Sequence, residues 1–266
     1  MALLLATPGC EQPPEPLGDP GLVYVMALGP TPQATVRRAA WALQQTTRRA
    51  VVVLPPVDLP ERARDAAGRY DAGMLLDTLL RNAPDDTFRI AGVTAAPLGD
   101  TEHDSVIGYA RTGERALIYS TEALPNFSTE AARRRTVRRI VAHELGHTFG
   151  GGHCKADCVM RDTLNPHAIE LMPDHPCPLH RRQANRGLAL SIDDPDFIAE
   201  VAAERTRLGD FTQAVAAWRR AVTRRPDDAR LWTALGIALM AKGELTAADE
   251  AFRTANRVAP EAPQPY

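Results

Sequence analysis

Val141-Ala142-His143-Glu144-Leu145-Gly146-His147-Thr148-Phe149-Gly150-Gly151-Gly152-His153-Cys154 is the stretch on which the rest of the chain hangs. His143 and His147 are four residues apart. On a helix they share one face, about one turn apart, and can offer two imidazole nitrogens to one metal ion. Glu144 follows the first histidine, where it reaches a water on that ion without being a ligand. Gly150 permits the left-handed residue that ends a helix and turns the chain back. His153 then returns as a third ligand. Three protein ligands leave a fourth position for water, the layout of a hydrolytic zinc centre. Zinc there lowers the pKa of water, and Glu144 is the expected general base. A bare H-E-x-x-H arises by chance in unrelated helices; the form extended by Gly150 and His153 is far more restrictive. A rival set with Glu170 as third ligand leaves Gly150 and His153 without a role.

Working outward, residues 129–149 read as the helix that carries this motif, with Ser128 as cap and Glu130 in the first turn, where the dipole favours negative charge. Arg133, Arg134, Arg135, Arg138 and Arg139 read as its solvated face. Upstream, Leu22–Leu28, residues 50–54, 87–93, 106–110 and 116–120 read as strands, with 50–54 buried and the last two joined by a turn at Thr112-Gly113-Glu114. Residues 35–45 and 71–80 carry apolar side chains at helical spacing. Alternating strands and helices predict an α/β layer around a mixed sheet. Residues 154–187 show little periodicity, and Pro166, Pro173, Pro176 and Pro178 are expected to break regular elements, so a metal ion is the natural tie for this loop.

After Ser191 the pattern turns wholly helical and repeats. Gly209-Asp210-Phe211-Thr212-Gln213-Ala214 recurs 34 residues later as Gly243-Glu244-Leu245-Thr246-Ala247-Ala248, and Trp218, Ala221 and Pro226 recur as Phe252, Ala255 and Pro260. Trp232, Leu235 and Gly236 open the second copy. The period and pattern resemble tetratricopeptide repeats. Two copies are fewer than usually stand alone, so they are expected to pack against the preceding domain and to offer a surface to a protein partner.

Composition narrows the remaining classes. A 266-residue chain that is 44% hydrophobic is long enough for a medium domain plus a small one. A formal net charge of −2 argues against a nucleic-acid binder working through bulk positive charge. No stretch approaches a membrane span. Residues 1–20 read as a Pro-rich disordered tail or, given Cys10, as the remnant of a lipoprotein signal that starts further upstream. A cytoplasmic location is favoured, with a lipid-anchored or exported form as the alternative.

Cys154 directly after His153, then Cys158-Val159-Met160, then Cys177-Pro178-Leu179-His180, give the motif a longer signature. With Arg69-Tyr70-Asp71 and Val106–Ser120 before it, the chain from about Leu22 to Leu188 resembles the archaemetzincin family of zinc peptidases. The resemblance implies a metzincin-like α/β catalytic domain over residues 21–190, with a twisted mixed sheet and an active-site helix, ahead of a small all-α helical-repeat domain over residues 195–262. It implies a hydrolase acting on peptide or protein substrates, with an extended peptide added along an edge such as 106–110 or 116–120. It also implies a second, structural zinc, held by Cys154, Cys158, Cys177 and His180 where the family has four cysteines; His175 competes with His180 for the fourth place. The spacing from Cys154 to Cys158 is one residue shorter than the family's. Met160 corresponds to the methionine under the catalytic zinc, with Met172 as the other candidate. A catalytically weak zinc module that acts as a scaffold through its repeats is the alternative function, and Glu144 speaks against it because a scaffold has no use for a carboxylate there.

Overall fold

A computed structural model describes residues 18–122, 124, 126–162 and 166–259. Residues 1–17, with Cys10 and most of the expected tail, lie outside the described residues, as does Pro260 of the second repeat. The chain runs β1 (Leu22–Leu28), α1 (Gln33–Thr47), β2 (Val51–Val53), a 3₁₀ turn at Glu61–Ala63, β3 (Tyr70–Asp71), α2 (Ala72–Arg81), β4 (Thr87–Thr94), β5 (Leu98–Gly99), β6 (Gly108–Ala110), β7 (Ala116–Ser120) and the long α3 (Glu130–Thr148). Then come α4 (Pro166–Ile169), α5 (Pro178–Leu188), α6 (Pro195–Arg207), α7 (Phe211–Arg224), α8 (Ala229–Lys242) and α9 (Leu245–Val258).

Five strands form a mixed sheet in the order β2-β1-β4-β7-β6, parallel except for β6, which runs antiparallel to β7. β3 and β5 pair separately. Successive residues of β1 feed two cores. Val23, Val25 and Ala27 pack with Val36, Ala39 and Leu43 of α1 and with Val137, Ile140, Val141 and Leu145 of α3. Tyr24, Met26 and Leu28 pack with Leu75, Leu76, Leu79 and Leu80 of α2. A strand covered on both faces needs apolar residues on both, so Leu22–Leu28 reads as an unbroken apolar run instead of an alternating one.

Four local expectations are corrected. Residues 50–54 do not make a buried strand: β2 is a sheet edge paired only with β1, and Val52 and Val53 are 38% and 53% exposed. The Pro55-Pro56 that follows suits an edge, where no ladder donor is missed. The strand expected at 106–110 is shortened to β6, because Val106 bridges instead to Leu98. Thr129, not Ser128, caps α3, its hydroxyl accepting the Ala132 N–H at 3.1 Å. The proline-rich segment is not without regular structure: α5 starts at Pro178, where the ring's missing N–H would have had no helical partner.

Helices α6 to α9 make the repeat pair. Asp194, Asp210 and Asp228 cap α6, α7 and α8 with carboxylates that accept backbone N–H groups. Ala214, Trp218, Ala221, Leu235 and Ala251 share one core, and Phe252 closes over Gly236. The small/large pattern that marks the repeat is therefore the packing pattern between its helices. No helix among the described residues is long and apolar enough to cross a membrane.

Candidate metal centres

Helix α3 buries Val137, Ile140, Val141 and Leu145 against the sheet. The same geometry turns His143, Glu144 and His147 toward a cleft of about 540 Å³ beside β6. After Thr148 the helix closes with the Gly150 N–H on the His147 carbonyl and the Gly151 N–H on the Gly146 carbonyl, both at 2.9 Å. Gly150 has φ +84°, the left-handed value that glycine adopts without steric cost. The chain reverses there and brings His153 back to the cleft. The ring centroids of His143, His147 and His153 lie 4.8, 4.9 and 5.2 Å apart in pairs. One nitrogen from each could share a metal ion.

The hydrogen bonds of these rings decide what they can do. His143 Nδ1 donates to the Val159 carbonyl and His147 Nδ1 to the Gly151 carbonyl, each at 2.8 Å. A carbonyl only accepts, so each Nδ1 carries the proton and each Nε2 presents a lone pair. Those two Nε2 atoms stand 3.2 Å apart. Two lone pairs so close repel unless a cation lies between them, and nitrogens bound tetrahedrally at about 2.05 Å would be separated by about 3.3 Å. The donor set and its spacing therefore fit zinc. Burial and the neighbouring imidazoles push the His143 pKa down to about 4, keeping the ring neutral.

Glu144 is buried, and burial raises its carboxyl to about 8; a cation on the imidazoles acts in the opposite direction. Its carboxylate lies against Gly108 of β6, where any Cβ would overlap Oε1. Asp162 stands 3.7 Å from His153 Nδ1 and also lines the cleft. At the rim, the Asp100 carboxylate lies 3.1 Å from His103 Nδ1. None of Gly108, Asp162, Asp100 or His103 follows a spacing rule relative to the motif, so sequence reading passes over them. Glu170 lies outside the histidine group; its carbonyl accepts from Arg139 at 2.7 Å.

A second cluster begins at Cys154, the residue after His153. Cys154, Cys158, Cys177 and His180 place their ligand atoms within 4.8 Å of one another. His180 Nδ1 is 3.4 Å from Cys158 Sγ and 3.2 Å from Cys177 Sγ. Backbone N–H groups of Met160 and Cys177 point at Cys158 Sγ at 3.4 and 3.1 Å. Backbone N–H bonds and the His180 ring pull the Cys177 thiol down to about 6, while burial pushes Cys158 up to about 11. His175, the competitor, is exposed and faces Asp157 at 3.8 Å. Met160 is buried against α3 at Gly146, between the two clusters, whereas Met172 lines the cleft. The arginine run of α3 is engaged locally: Arg133 and Arg134 with Glu130, Arg138 and Arg139 with Asp174.

Comparison with known proteins agrees with this geometry. Residues 57–170 match the model of peptidase family M54, and residues 204–263 match that of a tetratricopeptide repeat. The archaemetzincin of Methanopyrus kandleri is 39% identical over 104 residues, 38% of this chain but only 58% of that relative's length. The archaemetzincin of Halobacterium salinarum is 28% identical over 165 residues, 58% of this chain and 94% of its own. The crystal structure of the M. kandleri protein aligns with a TM-score of 0.56 at 28% identity, covering 65% of this chain and 98% of that one. That of the Archaeoglobus fulgidus archaemetzincin gives 0.54 at 25% identity, covering 61% and 99%. The resemblance read from the motif, the α/β catalytic fold and the helical-repeat extension are all borne out.

Proposed function

We propose that the protein is a zinc-dependent metallopeptidase in which Glu144 is the general base, a reading supported by the match of residues 57–170 to peptidase family M54 and by the likeness to archaemetzincin structures. The observation that carries this reading is the pair of Nε2 lone pairs held 3.2 Å apart by backbone carbonyls, beside a buried carboxylate. His143, His147 and His153 hold the ion. Zinc at this place supplies an acidified water and polarises the scissile carbonyl. Glu144 removes a proton from the attacking water and delivers it to the leaving amine. Gly108 lets the carboxylate lie close to the strand along which substrate runs.

The substrate is an extended peptide added to the open edge of β6. β7 is covered on both sides by β4 and β6, so of the two edges expected only β6 is free. Residues 105–110 line the cleft along that edge. Cys154, Cys158, Cys177 and His180 hold a second, structural zinc, a closed tetrahedral set of three thiolates and one imidazole. It ties down the segment after His153. Met160 is the methionine floor beneath the histidines. The repeats add a surface of the kind that binds protein segments.

The test is cleavage of a mixed peptide library by the zinc-loaded protein beside Glu144→Gln, with metal content measured in both. Cleavage by the wild type and its loss in a variant that still binds zinc supports the proposal. Absence of cleavage by the wild type, or undiminished cleavage by the variant, overturns it.

A further inference from the structure

Helix α6 opens the repeat extension, yet only one of its faces belongs to the repeats. Ile198 and Ala202 pack in the repeat core, while Phe197 joins the core of the catalytic domain and stacks on Phe88 with centroids 5.7 Å apart. Glu200, Glu204 and Arg207 continue the Phe197 face at helical spacing.

Two arginines wait beneath it. Arg89 of β4 and Arg115 at the start of β7 are 0% and 1% exposed. A guanidinium cannot shed its charge, so burial without a counter-ion is severely unfavourable. Both counter-ions come from α6. Glu204 forks Arg115, accepting from Nη2 at 2.6 Å and from Nε at 3.3 Å. Glu200 accepts from Arg89 Nη2 at 3.3 Å, and its other oxygen lies 3.2 Å from Nη1, within ion-pair range but out of line for a hydrogen bond.

The two pairs then diverge. The remaining donor of Arg115 goes to the Thr87 carbonyl at 2.7 Å, away from the metal centres. Arg89 instead reaches the end of the catalytic helix. Its Nε donates to Thr148 Oγ1 at 3.2 Å, its Nη2 to the Thr148 carbonyl at 3.4 Å, and its plane lies 4.8 Å from the Phe149 ring centroid. Thr148 and Phe149 lie between His147 and Gly150, in the turn that sets where His147 and His153 stand relative to each other. The last carbonyls of a helix lack intrahelical partners and carry the negative end of its dipole, so a guanidinium there both satisfies and anchors them.

We propose that Arg89 is a positioning residue of the three-histidine centre, held in place by Glu200, so that the repeat extension is a structural part of the metal site and not a tethered adaptor. The inference rests on the zinc reading of that centre. Without Glu200, Arg89 loses the carboxylate that contacts it directly, its grip on Thr148 weakens, and the turn between two ligands loosens.

The test titrates metal-free, full-length protein with cobalt(II), whose thiolate charge-transfer band reports the cysteine cluster and whose remaining ligand-field absorption reports the histidines. Glu200→Gln should weaken the histidine site about tenfold, the range seen when the partner of a metal ligand is lost, and leave the thiolate band unmoved. Glu204→Gln breaks the other buried pair on the same helix; it should lower the thermal midpoint comparably and change neither affinity. Thr148→Val keeps the Arg89–Glu200 pair intact and removes one acceptor at the catalytic helix, so it tests the same link even if Glu200→Gln does not fold, and it too should weaken the histidine site. Equal weakening by the two glutamate variants, or full affinity in Thr148→Val, would overturn the inference. Wild-type protein that takes up cobalt only with the thiolate band would instead overturn the zinc reading itself.

Discussion

The three-histidine centre and the cysteine cluster adjoin in the chain at His153-Cys154, and they are built in opposite ways. The first opens on a cleft, its third histidine is exposed, and backbone carbonyls aim its nitrogens outward. The second is closed: Cys158 and His180 are buried, and backbone N–H groups point inward at sulfur. Carbonyl acceptors hold neutral imidazoles ready to bind, whereas the N–H donors at Cys158 favour its thiolate form against the burial that opposes it. An open, neutral set leaves room for water and substrate; a closed set of three thiols and one imidazole suits an ion held for structure.

Four experiments test that contrast. The largest effect is expected from Glu144→Gln, which should lower kcat/KM for peptide cleavage about 10³-fold while zinc remains at the histidines. Retained activity would mean that the open centre is not the hydrolytic one. Cys158→Ser should leave Glu144 and the histidines in place yet destabilise the domain by about 4 kcal/mol, read as a fall in the denaturation midpoint of the zinc-loaded protein. A variant as stable as wild type would remove the structural role from the closed cluster.

Without metal, the two sites should respond to pH with opposite sign. Glu144 has a folded pKa near 8, above its unfolded value, so its stabilising contribution is complete below the ordinary carboxylate range and is lost as pH rises through 8. Cys177 is depressed to about 6, so its contribution is complete above the free-thiol pKa and is lost as pH falls through 6. Between pH 6.5 and 8 the stability of the metal-free wild type relative to Glu144→Gln should therefore fall by about 2 kcal/mol. A flat difference would show that the carboxyl is not held neutral by burial. The smallest effect, about tenfold in kcat, or about 1.4 kcal/mol, is expected from Gly108→Ala, whose methyl displaces the Glu144 carboxylate without touching a metal ligand. Unchanged turnover would separate β6 from the base.

The elements legible from sequence were those governed by local spacing. The helix that carries the motif, the apolar run of β1 and the 34-residue period all rest on neighbours a few residues apart, or on a repeat that announces itself. The elements misread were those whose state depends on what covers them. Val51–Val53 is as apolar as Val23–Val25, but one strand closes the sheet and the other lies inside it. Pro178 breaks a helix in mid-course and starts one at its first turn, and only the surrounding chain shows which position it holds.

The same division runs through the candidate sites. By itself the sequence determined which residue types lie at i, i+4 and beyond a chain-reversing glycine, because helix geometry is a local property of the backbone. Only the tertiary structure decided that β6 and not β7 is a sheet edge, that His180 rather than His175 lies among the thiols, that Gly108 makes room for Glu144, and that Arg89 meets Glu200 across more than a hundred residues. Those are contacts between segments far apart in the chain. Spacing carries no information about such pairs, which form only when burying the apolar faces of the sheet and helices brings the segments together.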